Sequence, residues 1–251
     1  MARTWSAFRY WLSQYRKTWR GTIVISVANP LLFLLGIGAG LGQLVDTHAP
    51  SALGGVTYIA FFAPGLLAAS AMQTGFIEGA GRVMFSAGFG GAYRSATTTP
   101  LEPEEILAGH LLFMGFRVLS SSAAFALVMA AFGVSRGLWV LAVVPAALLT
   151  GLAFAAPAAA WAVGVRSYTR INTVFRFVIM PMYMFSGTFF AIGQLPHWIR
   201  PVAYVLPLWH GVELCRTLSL GTATVPGTAV HVAFLLALTV GGYLVARVTY
   251  R

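Results

Sequence analysis

Six stretches of this sequence, at approximately residues 22–45, 56–77, 106–132, 138–165, 173–192 and 228–247, run on almost without charge. A helix rises about 1.5 Å per residue, so about 20 apolar residues cover the hydrocarbon of a bilayer. Inside lipid each peptide group must find its partner within the protein, which restricts the chain to helices or a closed barrel. Runs of this length call for helices. The expected fold is an all-α integral membrane protein of six transmembrane helices, with the fifth short because Pro181 lies within it.

Composition removes most other classes. Charged residues are 9% of the chain and hydrophobic ones 58%, against roughly 25% charged in an ordinary soluble domain. The formal net charge of +10 raises the possibility of nucleic acid. The cations instead fall singly or in small groups between apolar runs, without a basic face, so nucleic-acid binding is not expected. Cys215 is the only cysteine, which excludes an internal disulfide and reads as a small buried hydrophobe. Arg3, Arg9, Arg16, Lys17 and Arg20 are dispersed through the first 20 residues with no apolar core between them, so a cleavable leader is not expected.

In that first segment Trp5, Phe8, Leu12, Tyr15 and Trp19 recur at spacings of three and four, on one helical face. Residues 1–21 are therefore expected to form an amphipathic helix in the membrane interface, with its cations on lipid phosphates. Lysine and arginine are retained on the cytoplasmic side of a membrane. With the amino terminus inside, six spans place twelve of them in cytoplasmic segments and three, Arg136, Arg200 and Arg216, outside. Both termini are expected in the cytoplasm.

Two connections are too long and too patterned to be turns. The cytoplasmic one, residues 79–105, holds a short helix candidate before a Thr-Pro stop at Pro100, and Glu102-Pro103-Glu104-Glu105 then opens the third span. Acids in a first turn suit the helix dipole, and proline there forfeits no hydrogen bond. The external one, residues 193–227, is apolar but broken by Pro196, Pro201 and Pro207. It reads as a re-entrant helical hairpin buried against protein. The chain is thus expected to be a single transmembrane domain over residues 1–251.

No catalytic constellation stands out. The five histidines are scattered, and Gly88-Phe-Gly90-Gly91 lacks the Lys-Ser/Thr of a nucleotide-binding loop. The alternating glycines Gly36, Gly38, Gly40 and Gly42 lie inside the first span and read as close helix packing. Arg117 lies within the third span, where an arginine costs at least about 2.5 to 3.5 kcal/mol unless paired or wetted. It either contacts an anionic substrate headgroup or is paired internally. Glu78 and Arg82, four apart, are expected to pair, as are Glu213 and Arg216, three apart. His210 beside the latter reads as part of a polar cluster or as a pH-sensing or substrate-ligating group.

Met184-Phe-Ser186-Gly187-Thr-Phe-Phe190, Gln194-Leu195-Pro196-x-Trp198 and Leu206-Pro207-Leu208-x-His210-x-Val212-Glu213-x-x-Arg216, ending Leu220-Gly221, resemble the carboxy-terminal pattern of type-2 ABC exporter permeases. The branch most similar contains nodulation lipo-oligosaccharide and daunorubicin-resistance-type exporters, and Ala-Thr-Thr-Thr-Pro100-Leu resembles its Thr/Ser-Pro-Leu segment. The resemblance implies a homodimer or heterodimer of permease subunits docked on cytoplasmic P-loop ATPases, with ATP and magnesium bound on those partners and no cofactor here. Residues from about Met84 to Thr99 would form the coupling helix, with Phe85, Phe89, Tyr93 and Arg94 as its docking contacts; related loops carry more charge. The first, second and fifth spans would line the path, with Gly36, Gly38, Gly40 and Phe185 beside Arg117. The expected function is export of a lipid-linked, glycolipid or hydrophobic drug-like substrate across a bacterial cytoplasmic membrane by a non-catalytic subunit. The alternatives are a membrane-embedded lipid-modifying enzyme, which needs clustered acids or histidines at one face, and a secondary transporter, which needs internal repeats.

Overall fold

The computed structural model describes residues 2–17, 19–48, 55–88, 91–134 and 139–250. These are helical, with no strand among the described residues. The helices are α1 (Ala2–Tyr15), α2 (Trp19–Phe33), α3 (Gly42–His48), α4 (Tyr58–Phe76), α5 (Val83–Ala87), α6 (Ala92–Thr97), α7 (Pro103–Ala131), α8 (Trp139–Ala162), α9 (Tyr168–Val174), α10 (Met180–Phe185), α11 (Arg200–Val205), α12 (Pro207–Leu220) and α13 (Val225–Thr249). Wider π-helical turns join α2 to α3 (Leu34–Leu41), α4 to α5 (Ile77–Arg82) and α9 to α10 (Phe175–Ile179).

Among the described residues four of the six apolar runs form helices long and apolar enough to cross a membrane, over Tyr58–Ala87, Pro103–Ala131, Leu141–Ala162 and Val225–Thr249. This is a multi-pass membrane architecture. The first run is helical from residue 19 to 48 and the fifth from 168 to 185, but neither is among these four. The fifth opens on Tyr-Thr-Arg-Ile-Asn-Thr and carries Arg170 and Arg176, which shortens its apolar length.

Helix ends follow local chemistry. Glu102 caps α7 in a reciprocal box with Glu105, whose carboxylate accepts from the Glu102 amide at 3.1 Å, and Pro103 takes the first helical position. Helix α12 starts at Pro207 and ends on Gly221, whose φ of 69° is left-handed and lets the Thr222 amide turn back to the Thr217 carbonyl at 2.9 Å.

The centre of the bundle is α8, an alanine-rich helix that tolerates Pro145 and Pro157 in its interior. Its neighbours approach it through glycines. Gly75 and Gly79, one turn apart, lie on Gly151 and Ala155, also one turn apart: a β-carbon at Gly75 would run into the Gly151 carbonyl, and one at Gly79 would come within 2.5 Å of the Ala155 oxygen. Gly211 of α12 faces Thr150 and Gly242 of α13 faces Pro157, each leaving 2.5 Å for a β-carbon. Between apolar helices in lipid, where no water is expelled on contact, such backbone approach supplies the dispersion energy of association.

The glycines of the first span behave differently. A β-carbon at Gly36 or Gly40 would meet nothing within 4 Å, one at Gly42 would make ordinary contact with Tyr58 at 4.0 Å, and Gly38 is close to a neighbour, Ile59 at 3.0 Å. Helix α1 also departs from a free interfacial helix. It packs its Ala7, Phe8, Trp11 and Tyr15 on α7, where Gly109 admits Ala7, and it leaves Trp5 and Tyr10 exposed.

Gly75→Leu and Gly151→Leu are expected to lower stability by about 1–3 kcal/mol or more through overpacking, whereas Gly36→Ala is expected to be tolerated. Thermal unfolding of the detergent-solubilised variants checks this contrast.

Candidate functional site

Two polar clusters lie at opposite ends of α4. Phe61 touches one and Glu78 belongs to the other, and the 17 intervening steps span about 25 Å along a helix. That separation is close to the thickness of a hydrocarbon core, about 30 Å.

At the first end the π-helical turn Ile77–Arg82 presents Glu78 to the bundle interior, where the residue is 4% exposed. Its carboxylate accepts from Arg117 Nε at 3.0 Å and pairs with Arg82 one turn on. Arg117 also donates from Nη1 to the Tyr15 hydroxyl at 3.2 Å, with its guanidinium 4.7 Å from that ring. The arginine inside the third apolar run is thus compensated internally, and Glu78 serves both its i+4 neighbour and a partner 39 residues away. The sequence pointed to the first pairing; nothing in the spacing pointed to the second.

Beside it, the Tyr93 hydroxyl lies 2.5 Å from His110 Nδ1 and 3.0 Å from the Tyr250 hydroxyl. The Trp11 ring stacks on His110 with centroids 4.0 Å apart. Burial, then the neighbouring Tyr250, holds the Tyr93 phenol well above its usual range, and burial raises Tyr250 as well. Both stay neutral hydrogen-bonding groups. Through them α6 is tied to α7, to the end of α13 and to α1, so that the first and last helices of the described chain are linked through Tyr93 and His110 at one end of the bundle.

Of the coupling residues drawn from the resemblance, Tyr93 is therefore a partly buried anchor and Phe85 is half exposed. Phe89 and the Arg94 side chain lie outside the described part of the structure. Phe185 is exposed at the end of α10, apart from Arg117.

At the other end Arg216 is 8% exposed and donates to three acceptors: Phe61 O at 3.2 Å, Gly187 O at 2.6 Å and Glu213 at 3.4 Å. Its guanidinium lies 3.8 Å from the Phe61 ring centroid, in space that Gly65 leaves open. The expected Glu213–Arg216 pairing is present, and the carbonyls that Arg216 reaches matter as much. Nearby, His210 Nδ1 is 2.9 Å from His231 Nδ1, and the His210 ring stacks on Phe234 at 3.9 Å. His231, on α13, had no signal in the sequence to link it with α12.

The ABC-2 type transporter family pattern matches residues 3–220, which takes in Tyr15, Glu78, Tyr93, Arg117 and Arg216. The chain belongs to the ABC-2 type transporter family. Among relatives of this permease, Nodulation protein J of Rhizobium meliloti (strain 1021) is 30% identical over 227 residues, 89% of this chain and 85% of that one. Nodulation protein J of Rhizobium leguminosarum bv. trifolii is 31% identical over 223 residues, 84% and 81% of the two chains. The Inner membrane transport permease YadH of Escherichia coli (strain K12) is 24% identical over 223 residues, 86% and 82% of the two chains.

Removing one member of a buried ion pair leaves an uncompensated charge and costs about 3–5 kcal/mol. Glu78→Leu, which strands Arg117, is expected to approach that loss, and Glu78→Leu with Arg117→Leu to recover part of it. Melting temperatures of the single and double variants measure the coupling.

Proposed function

We propose that this chain is the membrane subunit of an ATP-binding cassette exporter of a bacterial inner membrane, crossing it six times with both termini in the cytoplasm. The observation that carries the reading is the α5–α6 segment. It continues from α4 through a π turn and is fastened by Tyr93 to α7 and α13, yet it leaves Phe85 51% exposed. Two short helices, α6 fastened to α7 and the end of α13 and α5 bearing a half-exposed aromatic, are suited to receive a push from a soluble subunit. ATP and magnesium would be bound and hydrolysed on that P-loop ATPase, so this chain performs no chemistry. The relatives named as nodulation protein and transport permease point the same way.

In this reading α11 and α12 are the external re-entrant hairpin. Helix α12 is about 21 Å long by its 14 residues, too short to cross, and its buried face packs among α4, α8 and α13. A second copy of the chain completes the permease. The path runs along the first, second and fifth spans, with Gly36, Gly38, Gly40 and Phe185 beside it, and carries a lipid-linked, glycolipid or hydrophobic drug-like substrate. Arg117, paired with Glu78, holds this scaffold together rather than touching the cargo.

Co-purification with the ATPase encoded nearest this reading frame, followed by substrate-stimulated ATP hydrolysis in proteoliposomes, tests the assignment. Phe85→Ala is expected to weaken ATPase association roughly tenfold or more, as loss of an aromatic anchor does, at unchanged membrane abundance. Association and transport left intact by Phe85→Ala, Phe89→Ala and Arg94→Ala together would show that the coupling surface lies elsewhere.

A further inference from the structure

Where α1, the tail of α4 and the α5–α6 segment meet, a cleft of about 550 Å³ opens to the surface. Arg82 lies in its wall, with the polar side chains of Gln14 and Ser86 and the aromatic ones of Tyr10, Trp11 and Tyr168 also lining it. Arg82 pairs with Glu78 through Nε, and its side chain is still 33% exposed.

The charge around this cleft is not balanced. Glu78 is one carboxylate shared by two guanidiniums, those of Arg82 and Arg117, which leaves one positive charge on the group. Arg117 is buried and answered by Glu78 and Tyr15, so the surplus falls to Arg82, the member that reaches the opening. None of the other five acids supplies it. Glu104 pairs with Arg247, Glu102 and Glu105 cap α7, Asp46 accepts from the Tyr58 amide, and Glu213 pairs with Arg216. Among the described residues no carboxylate lines the cleft.

We infer that this cleft binds the phosphate of an anionic membrane lipid, with Arg82 as its cation and the acyl chain leaving past Ile77 and Tyr168. A guanidinium already held on one side by a carboxylate is pre-oriented, and charge-assisted hydrogen bonds to phosphate are the strong kind. Ile77 and Tyr168 are both more than half exposed at the cleft edge, which gives the tail an apolar exit that a free inorganic anion would not use. The surrounding cations of residues 3–20 favour the same sign of ligand. Phe85, the docking contact of the exporter reading, also lines this cleft, but lipid binding requires only the chain and a lipid and is tested without the ATPase.

Native mass spectrometry of the full chain in detergent, titrated with phosphatidylglycerol, phosphatidylcholine or inorganic phosphate, tests it. One phosphatidylglycerol per chain is expected to be retained in preference to phosphatidylcholine. Arg82→Gln leaves Glu78 paired with Arg117 and is expected to weaken that retention about tenfold, while Arg82→Lys keeps most of it. Tyr168→Ala, at an exposed position bearing no charge, is expected to weaken it severalfold and serves if Arg82→Gln fails to fold. Equal retention by the wild-type chain, Arg82→Gln and Tyr168→Ala would overturn the assignment. Ready displacement of the lipid by inorganic phosphate would also overturn it, in favour of a free-anion site.

Discussion

Among the described glycines Gly75 fits tightest, against Gly151, and with Gly79 on Ala155 one turn on it sets much of the arrangement. Lipid tails compete with leucine side chains on equal terms, so two helices gain little by merely touching. Removing side chains from both lets the backbones meet, and the contact area then grows along a full turn. Because α8 is surfaced with alanine, the same device repeats with Gly211 and Gly242, and α4, α12 and α13 all index themselves to one axis. Val118 of α7 seats against Gly151 from another side. Fixing α4 and α7 on α8 in this way brings Glu78 and Arg117 to hydrogen-bonding distance.

Once that frame is set, the buried charges become intelligible as consequences of it. An isolated arginine at the depth of Arg117 would be expelled toward water or drag water in. Here the π turn at residues 77–82 places Glu78 inside, and Tyr15 comes from α1 to complete the guanidinium's partners. Helix α1 is thereby drawn onto the bundle, with Phe8 and Trp11 packed where a lipid-facing helix would have kept them outward. The aromatic stripe is divided between two surfaces, with Phe8 and Tyr15 buried on protein and Trp5 and Trp19 exposed.

What was legible in the sequence was whatever depends on length and on neighbours in the chain. The long apolar runs, the start of α7 at Glu102-Pro103, and the Glu78–Arg82 and Glu213–Arg216 pairs all follow from local spacing. Contacts between distant segments were not legible. Nothing at Glu78 announces Arg117, and His210 gives no sign of His231 on another helix. The glycines show the same limit. The conspicuous alternation at Gly36, Gly38 and Gly40 drew attention, while the working pairs, Gly75 with Gly79 and Gly151 with Ala155, sit unremarked among other small residues. A one-turn spacing has meaning only when a second helix presents its own bare turn opposite.

Arg216 illustrates how such contacts define moving parts. Its guanidinium holds the Phe61 carbonyl on α4, the Gly187 carbonyl of the turn after α10, and Glu213 on its own helix. Detaching any one of these would take an acceptor from a buried guanidinium. Helix α4, helix α12 and the turn at Gly187 are therefore joined as one rigid block. Any opening at that end of the molecule has to swing the block whole, with the hinge displaced to elements that Arg216 does not reach, such as the π-helical stretches flanking α10 and α3.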